Sequence, residues 1–215
     1  MFVQNTHEEA GMPVITLPFG PLEANCHIVH NGSDAVVFDP SDETDVVLKN
    51  IADNGLTLRA VALTHLHSDH CLGCADMARA TGLTPLVGKE DWDDRNMLLC
   101  RGMCFGMNLK PFEAETLEPG DVSWGSLNCR VIHTPGHSAG SLCYYFADLG
   151  VIITGDLLFF RSVGRSDLPG GNGAELMRSL RESIYTLPGS VAVYPGHGPE
   201  TSIGYEAAQN CYCRA

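Results

Sequence analysis

The chain has 215 residues and a formal net charge of −13, enough for one domain with a substantial core and too short for two. That charge, with no dense Lys/Arg cluster to offset it locally, argues against nucleic acid or an anionic membrane as partner, and no stretch approaches the ~20 apolar residues that span a bilayer. Residues 1–12 form a polar leader with Glu8 and Glu9 and no basic-then-apolar signal, so a soluble cytoplasmic protein, monomer or small homo-oligomer, is expected.

In chain order, short apolar, β-branched runs predict strands at Val14–Pro18, Cys26–His30, Ala35–Asp39, Ala60–Thr64, Cys129–His133, Ser141–Phe146, Val151–Thr154 and Val191–Tyr194. Asn31-Gly32 marks a hairpin turn. Ser41 or Asp42 is expected to cap a helix running to Asn54 and stopped by Gly55. A second helix is expected over Cys71–Thr81. Asn172 caps a third, from Ala174 to Tyr185, with Leu176, Leu180, Ile184 and Leu187 along one stripe. A last helix begins near Thr201 or Ser202. The stretch 92–112 carries Met97, Met103, Met107, Cys100 and Cys104. It reads as an adaptable, lid-like insertion, with plain core packing the alternative because Met fills irregular gaps. Strands in a run, then strands alternating with helices, then the same again, predict an α/β fold of two packed sheets with helices outside.

Nine cysteines, an odd number without an export signal, are expected as reduced thiols. Cys71-Leu-Gly-Cys74 has redox-pair or half-zinc-site spacing, but no second such pair follows, so a structural role is expected. Cys211 and Cys213 are expected to lie in a terminus without function.

Four loops share one grammar, a strand-like run followed by a turn rich in Gly, Pro or Thr that carries His or Asp. They are Thr64-His65-Leu66-His67-Ser68-Asp69-His70, Pro135-Gly136-His137, Thr154-Gly155-Asp156 and Pro195-Gly196-His197. Strands lying side by side would bring all seven groups to one edge of the fold, a favoured place for a site. Imidazole with carboxylate suits zinc, and also iron or manganese. His65 and His67 can face one metal and Asp69 and His70 a second, with His137 joining the first, His197 the second and Asp156 bridging. Two cations about 3.5–4 Å apart can hold a hydroxide and polarise a carbonyl, and Asp69 is placed to orient that hydroxide and take its proton. Isolated histidines at 7, 27, 30 and 133 are expected to be surface or satisfied residues.

These motifs resemble the metallo-β-lactamase superfamily, whose HxHxDH signature matches residues 65–70 and whose later pieces follow in order at Pro135–Ser138, Thr154–Asp156 and Pro195–Gly198. Asp39 matches the aspartate that the family places behind its metal loop. The resemblance covers about Val14 to Tyr205. It implies a four-layer αβ/βα sandwich with two divalent metal ions, zinc first among them. His65, His67 and His137 would hold one and Asp69, His70 and His197 the other, with Asp156 between. The commonest β-lactamase class has a cysteine at the position of Asp156, which argues against antibiotic hydrolysis. The stretch Gly155–Gly171 is similar to the glyoxalase II group, especially its short bacterial form without the C-terminal helical domain. That similarity implies hydrolysis of S-D-lactoylglutathione or a like thioester by a metal-bound hydroxide, with Arg165 placed to hold a substrate carboxylate or else paired with Asp167. The alternatives it leaves are a mononuclear iron persulfide dioxygenase on His65, His137 and Asp156, or a hydrolase of another ester or lactone.

Overall fold

The computed structural model describes residues 12–96, 107 and 109–215; the leader 1–11 and most of the lid-like stretch (97–106 and 108) lie outside the described residues. Along the chain come β1 (Val14–Phe19), β2 (Ala24–His30), β3 (Asp34–Phe38), α1 (Thr44–Asp53), β4 (Thr57–Ala62), α2 (Ser68–Cys71), α3 (Cys74–Thr81), β5 (Leu86–Gly88), α4 (Lys89–Asp93) and β6 (Glu115–Leu117). Then follow β7 (Gly120–Trp124), β8 (Leu127–His133), β9 (Leu142–Phe146), β10 (Val151–Gly155), the small hairpin β11 (Leu158–Phe159) and β12 (Ser162–Val163), α5 (Gly173–Ser179), β13 (Ala192–Pro195), β14 (Thr201–Ser202) and α6 (Ile203–Gln209). Among the described residues the strands form two six-stranded sheets, ordered β1-β2-β3-β4-β5-β6 and β14-β13-β10-β9-β8-β7.

Alternate side chains of each central strand serve different layers, as a two-residue period requires. In β3, Val36 and Phe38 point between the sheets, while Ala35 and Val37 meet Val47 and Ile51 of α1 and Met77 of α3. In β10, Val151 and Ile153 point inward, and Ile152 meets Leu176 of α5 and Ile203 of α6. Both faces are covered, which is why these strands read as continuous apolar runs. The result is the expected αβ/βα sandwich. Phe38 centres the inner layer, with ring centroids 4.6 Å from Tyr144, 5.9 Å from Phe146 and 6.3 Å from Trp124; truncating a ring so enclosed costs about 3–5 kcal/mol.

Two expectations are corrected. Ser41 does not cap α1, because its hydroxyl is buried and donates to the Ala24 carbonyl; the helix starts at Thr44, after Glu43 in a left-handed conformation with no side-chain cap. The helix over Cys71–Thr81 breaks into α2 and α3, and Gly73 at the break donates its N–H to the Pro40 carbonyl at 2.7 Å. Cys213, in the terminus, packs in the outer core and its carbonyl accepts from the Tyr185 hydroxyl. The helix capped by Asn172 is real, but after Ser179 it continues as a π-helical turn, Leu180–Ile184, that still buries Leu180 and Ile184.

Candidate metal centre

Strands β8, β10 and β13 of the second sheet run parallel to one another, as do β3 and β4 of the first. The loops that leave them converge at one edge of the sandwich and bring all seven of the anticipated groups together. His65 and His67 follow β4 and His137 follows β8. All three are buried, and their ligand nitrogens lie within 4.8 Å of one another. Asp69, His70 and His197 form a second group of the same span, half open to solvent at Asp69 and His197. Asp156, just after β10, stands between them: Oδ2 is 3.5 Å from His137 Nε2 and 3.7 Å from His197 Nε2, and Oδ1 is 3.5 Å from His70 Nε2.

Hydrogen bonds from behind fix which nitrogen of each ring faces the centre. Thr64 Oγ1 donates to Asp39 Oδ2 (2.7 Å) and accepts from His65 Nδ1 (3.0 Å), which leaves His65 Nε2 buried with no hydrogen-bond partner among the described residues. His137 Nδ1 donates to the Arg165 carbonyl (2.7 Å) and its Nε2 lies 2.8 Å from His67 Nδ1. His70 Nδ1 donates to Asp39 Oδ2 (3.0 Å), and His197 Nδ1 to the Leu22 carbonyl (2.9 Å). Buried polar atoms without partners are rare in folded proteins. Here His65 Nε2 and Asp156 Oδ1 are two of them, both aimed into a cluster of hard and borderline donors. That donor set fits divalent cations such as zinc, iron or manganese.

The charges divide unevenly. Burial, then the neighbouring imidazoles, hold His65 well below its ordinary value, so it stays neutral and its lone pair is available. Burial opposes charge on His70 as well, but Asp156, the Asp39 hydrogen bond and Asp69 outweigh it and raise its pKa to about 10. Burial pushes Asp69 up, yet the His197 hydrogen bond and the charge of His70 carry it well below the usual carboxylate range. His197 is raised, the Asp69 hydrogen bond and Asp156 overcoming its burial.

Asp39 is the strained member, with φ 49, a region that non-glycine residues rarely adopt and that clusters at functional sites. Its fully buried carboxylate accepts from the Thr64 N–H (2.7 Å) besides the Thr64 hydroxyl and His70. Gly196 is required by closeness alone: a Cβ there would stand 2.2 Å from Asp156 Oδ1 and 2.8 Å from His70 Cε1.

Several supports were not found by reading the sequence. Asn25 Nδ2 donates to the carbonyls of Pro195 and Gly198, on either side of His197, and His27 Nε2 donates to the Pro195 carbonyl. Burial lowers His27 to about 4, so that ring works as a neutral strut. Buried Glu206 takes the Arg161 N–H on both oxygens. Asp91, also buried, is taken up below. The Arg165 guanidinium forks onto Asp167 with two 2.8 Å hydrogen bonds, and Arg165's direct contribution to the cluster is its backbone carbonyl. Cys71 and Cys74 are fully buried, and burial raises both thiols well above their ordinary value, the inert condition. His133 is satisfied by the Ala139 carbonyl at 2.8 Å.

A profile of the metallo-beta-lactamase superfamily matches residues 19–197. The chain belongs to that superfamily. Among its relatives, a probable metallo-hydrolase, YqgX, of Bacillus subtilis is 36% identical over 90% of this chain and 94% of its own length. A hydroxyacylglutathione hydrolase, GloC, of Haemophilus influenzae is 27% identical over 93% of this chain and 97% of its own. Three solved structures are superposable. The B3 metallo-β-lactamase BLEG-1 has a TM-score of 0.84 at 30% identity, covering 94% of this chain and all of that one. TTHA1623, solved in a di-iron-bound form, has 0.83 at 33%, covering 93% and all of that chain. ETHE1 from Myxococcus xanthus has 0.75 at 27%, covering 92% and 83%. Membership makes this chain a metal-dependent enzyme of the metallo-hydrolase type. Among the described residues no helix is long and apolar enough to cross a membrane.

Proposed function

We propose that the chain is a binuclear metal-dependent thioester hydrolase acting on S-D-lactoylglutathione or a similar acyl thioester. The observation that carries the two-metal reading is the position of Asp156, with one oxygen 3.5 Å from a nitrogen of the His65–His67–His137 group and the other 3.5 Å from a nitrogen of the Asp69–His70–His197 group. A carboxylate so placed would be shared by two cations. When bound, such a pair supplies Lewis acidity toward a carbonyl and makes a bound water acidic enough to ionise near neutral pH. The protein's own residues do the rest. His65, His67 and His137 present ring nitrogens from a buried pocket, His65 as the neutral ring, while Asp69 and Asp156 contribute the carboxylates that a cation pair needs. Asp69, kept ionised by His197 and His70, is the acceptor for the proton that the attacking water sheds. A thiolate leaves without strong acid assistance, so the lack of an assigned general acid suits a thioester.

The thioester choice draws support from GloC, whose name specifies a hydroxyacylglutathione substrate; in this reading Arg165 leaves Asp167 to hold a substrate carboxylate. The experiment joins metal analysis of protein grown in defined medium to a panel of lactoylglutathione, other acyl thioesters, lactones, a β-lactam and glutathione persulfide. Close to two ions per chain and turnover of a thioester are expected. One iron per chain with oxygen uptake on the persulfide overturns this reading in favour of a mononuclear dioxygenase on His65, His137 and Asp156. Preferential turnover of the β-lactam or of a lactone overturns only the substrate.

A further inference from the structure

Asp91 lies in α4 and takes no part in either ligand group, yet its side chain is fully buried within reach of both loops that carry the first group. Oδ2 accepts the Leu66 N–H at 2.9 Å and the Ser138 hydroxyl at 2.8 Å, and Oδ1 accepts the Gly140 N–H at 2.6 Å. Leu66 is the residue between His65 and His67, and Ser138 is the residue after His137. One carboxylate therefore grips the peptide joining two of these histidines and the side chain adjoining the third. The loops come from different sheets, one after β4 and the other after β8, and besides this carboxylate a backbone hydrogen bond, from the Leu142 N–H to the Thr64 carbonyl at 2.7 Å, joins them. The approach is close enough to demand two glycines. A Cβ on Gly88 would lie 1.9 Å from the Gly140 carbonyl oxygen, and one on Gly140 would lie 2.4 Å from the Asp91 nitrogen.

We propose that Asp91 is a positioning residue for the first metal, setting the distance and orientation between the His65–His67 loop and His137. The proposal rests on reading those three histidines as ligands of one cation. Three hydrogen bonds to a buried carboxylate are charge-assisted and geometrically demanding, and partners of this kind behind a metal ligand typically govern its affinity by about 10–100-fold. Asp91→Asn is the sharp variant, because it keeps the shape while turning one accepting oxygen into a donor that faces donors. Ser138→Ala is the gentler one, removing one of the three partners and leaving the carboxylate in place.

The test is titration of the metal-free protein with Co(II) against a competing chelator, following the visible d–d bands, with thermal melting of the same metal-free samples. Wild type, Asp91→Asn, Ser138→Ala and His137→Ala are compared. Asp91→Asn is expected to bind its first-group cobalt about 10–100-fold more weakly with altered bands, while the second-group cobalt keeps its affinity. Ser138→Ala is expected to shift the same component several-fold in the same direction. If both variants bind cobalt with wild-type affinity and bands, Asp91 only stitches the two sheets together and the proposal falls, whatever the melting temperatures do. Should Asp91→Asn not fold, unchanged cobalt binding in Ser138→Ala overturns the proposal by itself. If His137→Ala binds cobalt as wild type does, the underlying ligand reading falls and takes the proposal with it; a change in His137→Ala without one in the other two overturns the proposal alone.

Discussion

Two aspartates bracket strand β3. Asp34 opens it and Asp39 follows its end, and both carboxylates are buried and accept hydrogen bonds on both oxygens. Their partners differ in kind. Asp34 meets the Arg59 guanidinium at 2.6 Å, and the Ser126 amide at 2.7 Å, so its charge is matched at the closed end of the sandwich and it ties the first sheet to the β7–β8 turn. Among the described residues Asp39 meets no Arg or Lys in this way. It sits in a left-handed backbone conformation and spends its acceptors on Thr64 and His70, so its charge is passed toward imidazoles facing an open cluster. The same residue type at the two ends of one strand is thus stabilising at one end and organising at the other. The difference teaches that burial of a carboxylate does not by itself mark a site; the identity of its donors does.

The comparison breaks most sharply at Asp156. Asp156→Ala, like His67→Ala, is expected to lower kcat/KM by about 10³-fold or more, the scale on which charge stabilisation in a water-poor site is lost. Bound metal should fall with it while the fold persists in circular dichroism. Full turnover in either variant would sink the two-metal mechanism. One step back, Thr64→Val deletes the hydroxyl shared by Asp39 and His65 and keeps the side chain's size. Metal affinity is expected to weaken by about 10–100-fold, read by chelator competition, with a smaller loss of stability than burial of an unpaired hydroxyl would bring. Arg165→Ala should act further out still. Because His137 is held by the Arg165 carbonyl rather than its side chain, metal content should be unchanged. KM for a carboxylate-bearing thioester should rise about 10-fold, the worth of one charged hydrogen bond, with kcat little altered. An unchanged KM would assign Arg165 to its Asp167 pair alone.

What could be read from the sequence, and what could not, follows the same division. The groups at 65–70 stand side by side in the chain, and His137, Asp156 and His197 each close a strand-then-turn unit, so their chemistry is visible in one dimension. The doubly covered strands β3 and β10 announce themselves as apolar runs for the same reason that they lie at the centre. Asp91, Asn25 and His27 leave no such trace, because their partners are backbone groups far along the chain: Gly140 for Asp91, Pro195 for both Asn25 and His27. A buried Asp in a charged stretch such as Lys89-Glu90-Asp91 reads as surface until a second sheet is laid against it. Strands β5, β6 and β7 were missed because they are short or edge elements: Glu115 and Asp121 face solvent and dilute the alternation. The helix break at Gly73 was missed because its cause, the Pro40 carbonyl, comes from another loop.

Asp34 supplies the smallest effect and the cleanest control. The Ser126 hydroxyl and amide, then Arg59, lower its pKa from 3.8 to about 2. A carboxyl whose folded value is depressed stabilises the fold above its unfolded value, near 3.8, and that contribution disappears as the pH falls through about 2. Asp34→Asn is therefore expected to lower the melting temperature by a few degrees at neutral pH and to flatten the acid limb of the stability profile between pH 4 and 2. Metal content and turnover at neutral pH should stay at wild-type levels. Thermal melts across that range, paired with metal analysis, check both halves. If Asp34→Asn lost metal as Thr64→Val is expected to, the two ends of β3 would be coupled, and the division between a stabilising end and an organising end would not hold.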